Sequence, residues 1–167
     1  MKTAEFYIKR LNLTQHPEGG YFKEVYRDDE IINKKHLPER YTTDHSFSTS
    51  IYYLLKGDDK SNLHKIKSDE TWHFYDGTTL IINIIDKDGR LSSVKLGRNI
   101  DEGEVFQFTI KKDSWFCAEV RDKNSFSLVG CTVSPGFDFS DFELGKRETL
   151  LKSFPYHKEL ITRFTRG

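Results

Sequence analysis

The sequence predicts an all-β protein, a sandwich or a barrel, with a short helix near each end of the chain. Short runs of β-branched and aromatic residues fill positions 47–133, and turns rich in glycine and aspartate separate them. The first and last segments instead place apolar residues at helical spacing. The length of 167 residues fits one domain, which we expect to cover residues 1–167.

The N-terminal part is predicted to contain a helix, a turn and a strand. Residues at helical spacing are Ala4, Tyr7, Ile8 and Leu11. The segment His-Pro-Glu-Gly-Gly at 16–20 predicts a turn, because proline fixes φ and glycine permits positive φ. A strand is expected over Tyr21–Arg27. The charged stretch 28–45 has little periodicity and is predicted to be a surface excursion that is free to move.

Eight further strands and a C-terminal helix complete the prediction. The strands are Phe47–Leu55, Leu63–Ile66, Thr71–Tyr75, Thr79–Asp86, Leu91–Leu96, Val105–Ile110, Ser114–Ala118 and Phe126–Val133. Both faces of the first of these strands are apolar, so we expect both to be covered, with a second subunit as one source of cover. In the tail, Ser153 is expected to cap a helix with Pro155 in its first turn.

The composition limits which binding partners and which cell compartment we expect for this protein. The 26 basic residues balance the 26 acidic ones, so the chain lacks the positive field that favours nucleic acid or an anionic membrane. The two cysteines, Cys117 and Cys131, lack the spacing of a zinc or redox motif and are expected to be reduced, buried thiols. No apolar run suggests a signal peptide or a membrane span. These features predict a cytoplasmic protein.

One sequence motif with a defined spacing is more informative than the overall composition. Gly57, His64, Ile66, Glu70 and Gly77 resemble the first motif of the cupins, with isoleucine in place of the second histidine. The spacing after His64 matches the motif, whereas six residues separate Gly57 from His64 where cupins usually have five. Around the expected second motif lie Gly103, Lys111, Asp113 and Phe116, with Phe116 at the histidine position. The resemblance implies a double-stranded β-helix, the jelly-roll barrel of cupins. Cupins hold a metal with three histidines and one glutamate, so only His64 and Glu70 would remain as ligands.

A narrower resemblance covers about residues 11 to 151. The segments 16–22, 49–55, 63–73, 127–133 and 135–139 are similar to a cupin subfamily of unassigned function. Gly20-Tyr21-Phe22-Lys23-Glu24 also resembles the Arg-Gly-Phe-Phe-x-Glu motif of dTDP-4-keto-sugar epimerases, cupins that use a histidine base without a metal. Gly19 stands where these epimerases have a phosphate-binding arginine, which argues against a nucleotide-sugar but leaves sugar chemistry open. The resemblances imply a homodimer that binds a small polar metabolite, such as a sugar derivative.

The candidate catalytic residues are His64 as general base, Glu70 beside it, and Tyr53 as the acid. Candidate ligand contacts are Trp72, Gln107, Phe116, Glu24, Arg27 and Lys65. Each residue has a plainer explanation, as a packed core residue or as a solvated surface charge. We expect no cofactor, because the lost ligand positions are apolar, and a divalent transition metal at His64 and Glu70 is the alternative. Three functions stay open: a metal-independent epimerase or isomerase, a non-catalytic metabolite-binding protein, and a metal-dependent enzyme.

Overall fold

Two antiparallel sheets face each other in the computed structural model, which describes residues 2–167. The strands are β1 (Thr14–Gln15), β2 (Tyr21–Arg27), β3 (Ile31–Ile32), β4 (His45–Ser46), β5 (Thr49–Lys56), β6 (Lys60–Lys65), β7 (Asp69–Gly77), β8 (Leu80–Ile85), β9 (Leu91–Leu96), β10 (Gln107–Ile110), β11 (Trp115–Val120), β12 (Phe126–Ser134) and β13 (Glu143–Leu144). The α-helices are α1 (Ala4–Arg10), α2 (Arg147–Ser153) and α3 (Lys158–Arg163).

The strand order confirms the predicted jelly-roll fold. One sheet has the order β1-β2-β5-β12-β7-β10, and the other has the order β13-β6-β11-β8-β9. Strands that follow one another in sequence, such as β5 and β6 or β7 and β8, therefore lie in opposite sheets, which is the winding of a double-stranded β-helix. β3 and β4 form a separate small ribbon.

The core lies between the two sheets because alternate residues of each strand point inward. The first sheet contributes Tyr53, Leu55, Trp72, Val129 and Cys131, and the second contributes Ile82, Ile84, Phe116 and Ala118. Most of these side chains are completely buried. The period of two in the sequence thus determines which side chains fill the barrel.

The second apolar face of β5 is covered by the chain's own N-terminal helix. Leu54 is completely buried against Ala4, Leu13, Phe126 and Leu128. The α1 helix begins where predicted, and the hydroxyl of Thr3 accepts a hydrogen bond from the Phe6 amide at 3.2 Å. Burial of Leu54 therefore needs no second subunit.

The charged stretch 28–45 is anchored, contrary to the expectation of free movement. Tyr41 is completely buried, and its hydroxyl lies 2.8 Å from Ser68 Oγ. His45 is also buried, and its Nε2 lies 2.5 Å from Asp141 Oδ2. Two buried side chains with polar partners hold this stretch to the barrel, although its charged composition suggested a solvated loop.

The C-terminal helices differ from the prediction. Ser153 is the last residue of α2, and Pro155 begins a 3₁₀ turn that ends at His157, before α3. Leu150, Ile161 and Phe164 pack on the outer side of the second sheet against Leu63, Ile85, Trp115 and Cys117. This apolar stripe sets the position of the helices. Within residues 2–167, no helix has the length and apolar character needed to cross a membrane.

Replacement of Leu54 by alanine tests the role of α1 as a cover. We expect Leu54→Ala to lower the free energy of unfolding by about 2–5 kcal/mol, because it opens a cavity between α1 and β5. Urea unfolding followed by circular dichroism measures the change. The control Leu91→Ala alters a half-exposed leucine and should cost less than about 1 kcal/mol. Equal losses in the two variants would show that α1 does not seal this face.

Candidate functional site

A cavity of about 120 Å³ lies inside the barrel between the two sheets. Its walls are mostly aromatic and aliphatic, with a cluster of ionisable side chains among them. The lining residues are His16, Glu18, Phe22, Glu24, Arg27, Thr49, Ile51, Tyr53, His64, Ile66, Glu70, Trp72, Cys131, Val133, Phe137, Asp138, Phe139 and Phe142. A small cavity with apolar walls and few polar groups is typical of a ligand site.

A loop over residues 137–142, here called the capping loop, supplies three of the aromatic walls. Its backbone is held by the Phe137 amide, which donates a hydrogen bond to Thr49 Oγ1 at 2.8 Å, and by Asp141, which contacts His45. Phe142 packs against the His64 ring with a centroid distance of 5.4 Å. The capping loop therefore closes the cavity over His64.

The turn at 16–20 places a glutamate inside the barrel. Gly19 and Gly20 both have positive φ, and a Cβ on Gly19 would lie 2.0 Å from the Lys60 carbonyl oxygen, so only glycine fits there. The Glu18 carbonyl oxygen accepts hydrogen bonds from the Asn62 amide at 2.9 Å and from Asn62 Nδ2 at 2.7 Å. These contacts fix the turn against β6 and direct the Glu18 side chain toward His64.

His64 and Glu18 form a buried acid–base pair. His64 Nε2 lies 3.0 Å from Glu18 Oε2, and His64 Nδ1 lies 2.8 Å from the Asn62 carbonyl oxygen. A carbonyl oxygen only accepts, so Nδ1 carries a hydrogen, and a proton must also lie between Nε2 and Oε2. The pair is therefore either an imidazolium with a carboxylate or a neutral imidazole with a carboxylic acid. Ser61 donates a further hydrogen bond to Glu18 Oε1 at 2.8 Å.

His16 is a second histidine at this end of the cavity. Its Nδ1 accepts a hydrogen bond from the Glu18 amide at 3.3 Å, which leaves the hydrogen of the neutral ring on Nε2. Burial lowers the pKa of His16, and the nearby His64 lowers it further, while Glu18 acts in the opposite direction. His16 is thus held as a neutral ring that can donate through Nε2.

Glu70 is a buried carboxyl group without an ion pair. Burial is the main cause that raises its pKa to about 8, and the charge of Glu18 adds to the rise, while the nearby Trp72 indole and Cys131 thiol partly offset it. Glu70 is therefore neutral at pH 7. Its partner in the prediction was His64, but the structure gives that position to Glu18.

Tyr53 lines the cavity with its hydroxyl group already engaged. The O–H donates a hydrogen bond to the Gly19 carbonyl oxygen at 2.7 Å. Burial, together with the charge of Glu18, raises the pKa of Tyr53 well above its ordinary value. The hydroxyl proton is thus used in a hydrogen bond to the turn. This geometry argues against Tyr53 as the general acid.

Glu24 and Arg27 lie together on the cavity wall and are partly exposed. Arg27 Nη2 donates to Glu24 Oε2 at 2.8 Å, and Arg27 Nε donates to Glu24 Oε1 at 3.0 Å. Arg27 Nη2 also lies 3.0 Å from the Phe137 carbonyl oxygen in the capping loop. The guanidinium is therefore neutralised by its own neighbour and helps to hold the loop.

Three predicted ligand contacts lie outside the cavity. Gln107 pairs with His73 across β10 and β7, so it shares the outward orientation of His73. Lys65 Nζ lies 3.1 Å from Glu143 Oε2 and over the Trp115 ring, away from the interior. Phe116 points inward, but it packs behind the cavity wall, 4.0 Å from the His64 ring centroid.

The cavity also contains residues that the sequence pattern does not indicate, namely His16, Glu18, Phe137, Phe139 and Phe142. The composition of segment 16–20 predicts a turn, and nothing local indicates that the turn folds against β6. The available signal was the resemblance itself, because the segments 16–22 and 135–139 both belong to it. Trp72, Glu24 and Arg27 were predicted as ligand contacts, and all three line the cavity.

The Cupin_5 family of the cupin superfamily (DUF985) matches residues 5–145. This chain belongs to that family. The uncharacterised yeast protein YML079W of Saccharomyces cerevisiae is 32% identical to this cupin over 165 residues, which cover 87% of this chain and 76% of the relative.

Solved structures of other proteins resemble this cupin over most or all of its length. SO0799 of Shewanella oneidensis is 36% identical, with a TM-score of 0.90, and the match covers 100% of this chain and 99% of that one. A hypothetical protein from Leishmania major is 34% identical, with a TM-score of 0.88 over 99% and 100% of the two chains. Oxalate decarboxylase of Bacillus subtilis has 16% identity and a TM-score of 0.55 over 90% of this chain and 36% of its own, a likeness of fold alone.

The cavity residues do not fit the metal centre of other cupins. Both ring nitrogens of His64 are engaged, one by Asn62 and the other by Glu18. Ile66 and Phe116 provide no donor atom. Within residues 2–167, no three histidine, cysteine or acidic side chains are grouped so as to hold a metal ion.

The raised pKa of Glu70 predicts a pH dependence of stability. The native state holds this proton up to about pH 8, while the unfolded state loses it near pH 4.5, so stability should fall as pH rises between these values. Glu70→Gln lacks the titration, so its stability relative to wild type should increase from about pH 5 to about pH 8.5. Urea unfolding at both pH values measures the difference. The exposed control Glu39→Gln should shift equally at both, and a constant difference for Glu70→Gln would contradict the assignment.

Proposed function

We propose that this cupin is an isomerase or epimerase that moves a proton at the carbon next to a carbonyl group of a small polar metabolite, with sugar derivatives as the favoured class. The observation that carries the proposal is the buried pair of His64 and Glu18, whose Nε2 and Oε2 atoms share one proton at 3.0 Å. Such a pair can take up a second proton on the Glu18 carboxyl group, and it lines a cavity of the size of a small metabolite.

The proton balance of the pair suits enolate chemistry. Before the reaction the pair is neutral overall, in either of its two protonation forms. When it accepts the substrate proton, it becomes a cation made of an imidazolium and a carboxylic acid. The enolate formed at the same moment is an anion, and the two charges stabilise each other in a cavity with apolar walls.

The return of the proton distinguishes the two reaction types. An isomerase needs only one group, because the His64–Glu18 pair returns the proton to the neighbouring carbon or oxygen. An epimerase needs a second donor on the other face of the enolate. Glu70 is neutral at pH 7 and lines the same cavity, so it is the candidate for that donor in place of Tyr53.

Deuterium exchange from a small ketose tests the proposal without knowledge of the natural substrate. We expect the wild-type protein to exchange the carbon-bound hydrogens of dihydroxyacetone in D₂O, followed by proton NMR. His64→Asn should lower the exchange rate by at least about 100-fold with little change in affinity, because it removes the imidazole that shares a proton with Glu18 and keeps the volume close.

The outer-face variant His73→Asn is the matched control, since His73 Nε2 contacts Thr132 and lies outside the cavity. It should exchange at the wild-type rate. Melting temperatures show whether each variant is folded. Unchanged exchange in a folded His64→Asn variant would eliminate the His64–Glu18 pair as the proton acceptor.

A second candidate function is binding without catalysis. One observation favours it: both nitrogens of His64 already have partners, as is usual for a structural buried histidine. This alternative predicts that a co-purifying metabolite raises the melting temperature and is recovered unchanged. Mass spectrometry of the compound released on unfolding identifies it. Turnover of that compound by the wild-type protein would exclude this second candidate.

A further inference from the structure

The His16 imidazole has one nitrogen that is left open toward the cavity. Within residues 2–167, its Nε2 has no hydrogen-bond partner, although the side chain is only 7% exposed and lines the cavity. The Trp72 indole nitrogen also lacks a partner, but that atom is completely shielded. His16 Nε2 is not shielded in this way, so a molecule in the cavity can reach it.

The position of the ring hydrogen of His16 follows from the backbone. The Glu18 amide donates to Nδ1 at 3.3 Å, so Nδ1 presents its lone pair. Glu18 Oε2 lies farther away, at 3.5 Å from Nδ1, which is beyond a normal N–H···O hydrogen bond. Burial is the main cause that lowers the pKa of His16, which agrees with a neutral ring. The ring hydrogen is therefore on Nε2, and the open nitrogen is a donor.

Four aromatic rings hold the plane of the imidazole. Phe22 and Tyr53 meet it edge to face, with centroid distances of 4.6 and 6.0 Å. From the capping loop, Phe142 meets it edge to face at 6.0 Å, and Phe139 stacks on it at 6.2 Å. A ring that is packed on several sides keeps its orientation, so the Nε2–H donor is in place before a ligand binds.

This donor stands beside the acid–base pair. Glu18 Oε2 lies 3.0 Å from His64 Nε2 and 3.5 Å from His16 Nδ1, so one carboxyl oxygen is next to both rings. In a ketone, the carbonyl oxygen is only two bonds away from the carbon that loses a proton. A single small ketone can therefore meet the His16 donor with its oxygen and the Glu18 carboxyl group with its C–H bond.

The charges of the cavity disfavour an anionic ligand. Arg27 lines the cavity, but two hydrogen bonds pair its guanidinium with Glu24. The acidic side chains of the walls are Glu18, Glu24, Glu70 and Asp138. An ammonium group does not fit the open nitrogen either, because it only donates hydrogen bonds and His16 Nε2–H is itself a donor. An uncharged carbonyl oxygen meets both conditions.

We propose that His16 binds the carbonyl oxygen of the substrate through its Nε2–H, and that the substrates are uncharged ketones and aldehydes. This proposal rests on the proton-transfer function proposed above and names its substrate class. The carbon-bound proton passes to the Glu18 carboxyl group of the pair, and the electron pair of the broken C–H bond forms the C=C bond. The π electrons of the carbonyl group move to oxygen. His16 keeps its proton and stabilises that oxygen by a hydrogen bond, as a neutral imidazole is able to do.

Two substitutions of His16 separate the donor from the ring. His16→Phe keeps an aromatic ring without a donor, whereas His16→Gln places an amide N–H near the position of Nε2. Both lose the acceptor for the Glu18 amide, so that contact does not distinguish them. We expect His16→Phe to lower deuterium exchange from dihydroxyacetone by about 100-fold or more, and His16→Gln to stay within about tenfold of wild type. The control His36→Phe alters an exposed histidine and should exchange at the wild-type rate.

A binding experiment tests the donor without any reaction. The cavity of about 120 Å³ is slightly smaller than an engineered protein cavity of about 150 Å³ that holds benzene. Cyclopentanone and methylenecyclopentane have as many heavy atoms as benzene and differ only in an oxygen or a CH₂ group. Ligand-observed proton NMR gives their affinities. The affinity for cyclopentanone relative to methylenecyclopentane should fall about tenfold in His16→Phe and less than about threefold in His16→Gln.

The wild-type protein provides a measurement that does not depend on the folding of any variant. Proton–nitrogen NMR correlation spectra of protein with labelled histidines show which ring nitrogen carries the hydrogen. We expect the His16 hydrogen on Nε2, and we expect its resonance to move downfield when cyclopentanone binds. The spectrum of His16→Gln identifies the resonance by its loss.

Three outcomes would overturn the proposal. They are a hydrogen on His16 Nδ1 in place of Nε2, a ratio of probe affinities in folded His16→Phe equal to that of wild type, or tighter binding of cyclopentylammonium than of cyclopentanone. Failure of the two proposals is distinguishable. Exchange at the wild-type rate in folded His16→Phe would reject His16 as the donor and leave the proton-transfer function in place. A donor-dependent ratio of probe affinities without any exchange in the wild type would support the His16 site and reject the proton-transfer function.

Discussion

The contact between Glu18 and His64 is the interaction on which the cavity depends. It joins a turn near the N-terminus to β6, a strand more than forty residues later in the sequence, and it brings the second carboxyl group into the barrel. Gly19 and Gly20 permit the approach of the turn, and Asn62 and Tyr53 hold its carbonyl groups. Burial raises the pKa of Glu70, and the charge of Glu18, which this contact brings into the barrel, adds to the rise.

Glu18 and Glu70 have different surroundings in the cavity. Glu18 has an imidazole, a serine hydroxyl and a second histidine beside it. Glu70 has no counter-ion, so burial favours its neutral form. In metal-binding cupins, histidines would stand at the positions of Ile66 and Phe116, and the apolar side chains here provide no such donor atoms.

The sequence predicted the fold and part of the site, and the limits have physical causes. The alternation of residues along β7 correctly placed Glu70 and Trp72 inward and His73 outward. The same rule would have excluded Gln107, which stands opposite His73, had the register of β10 been known. Register, the docking of the turn at Glu18, and the depth of Phe116 behind the cavity wall are products of tertiary packing, which local spacing does not encode.

The capping loop is held in place by residues other than the acid–base groups of the cavity. Its anchors are the contact of Asp141 with His45 and the amide of Phe137 on Thr49, and neither belongs to the acid–base groups. Phe139 is 54% exposed while it lines the cavity, so its side chain forms part of the rim. Substitutions in the capping loop can therefore change the entrance of the cavity without changing its acid–base groups. Such a division lets one scaffold diversify its specificity by loop variation, with the barrel interior inherited unchanged.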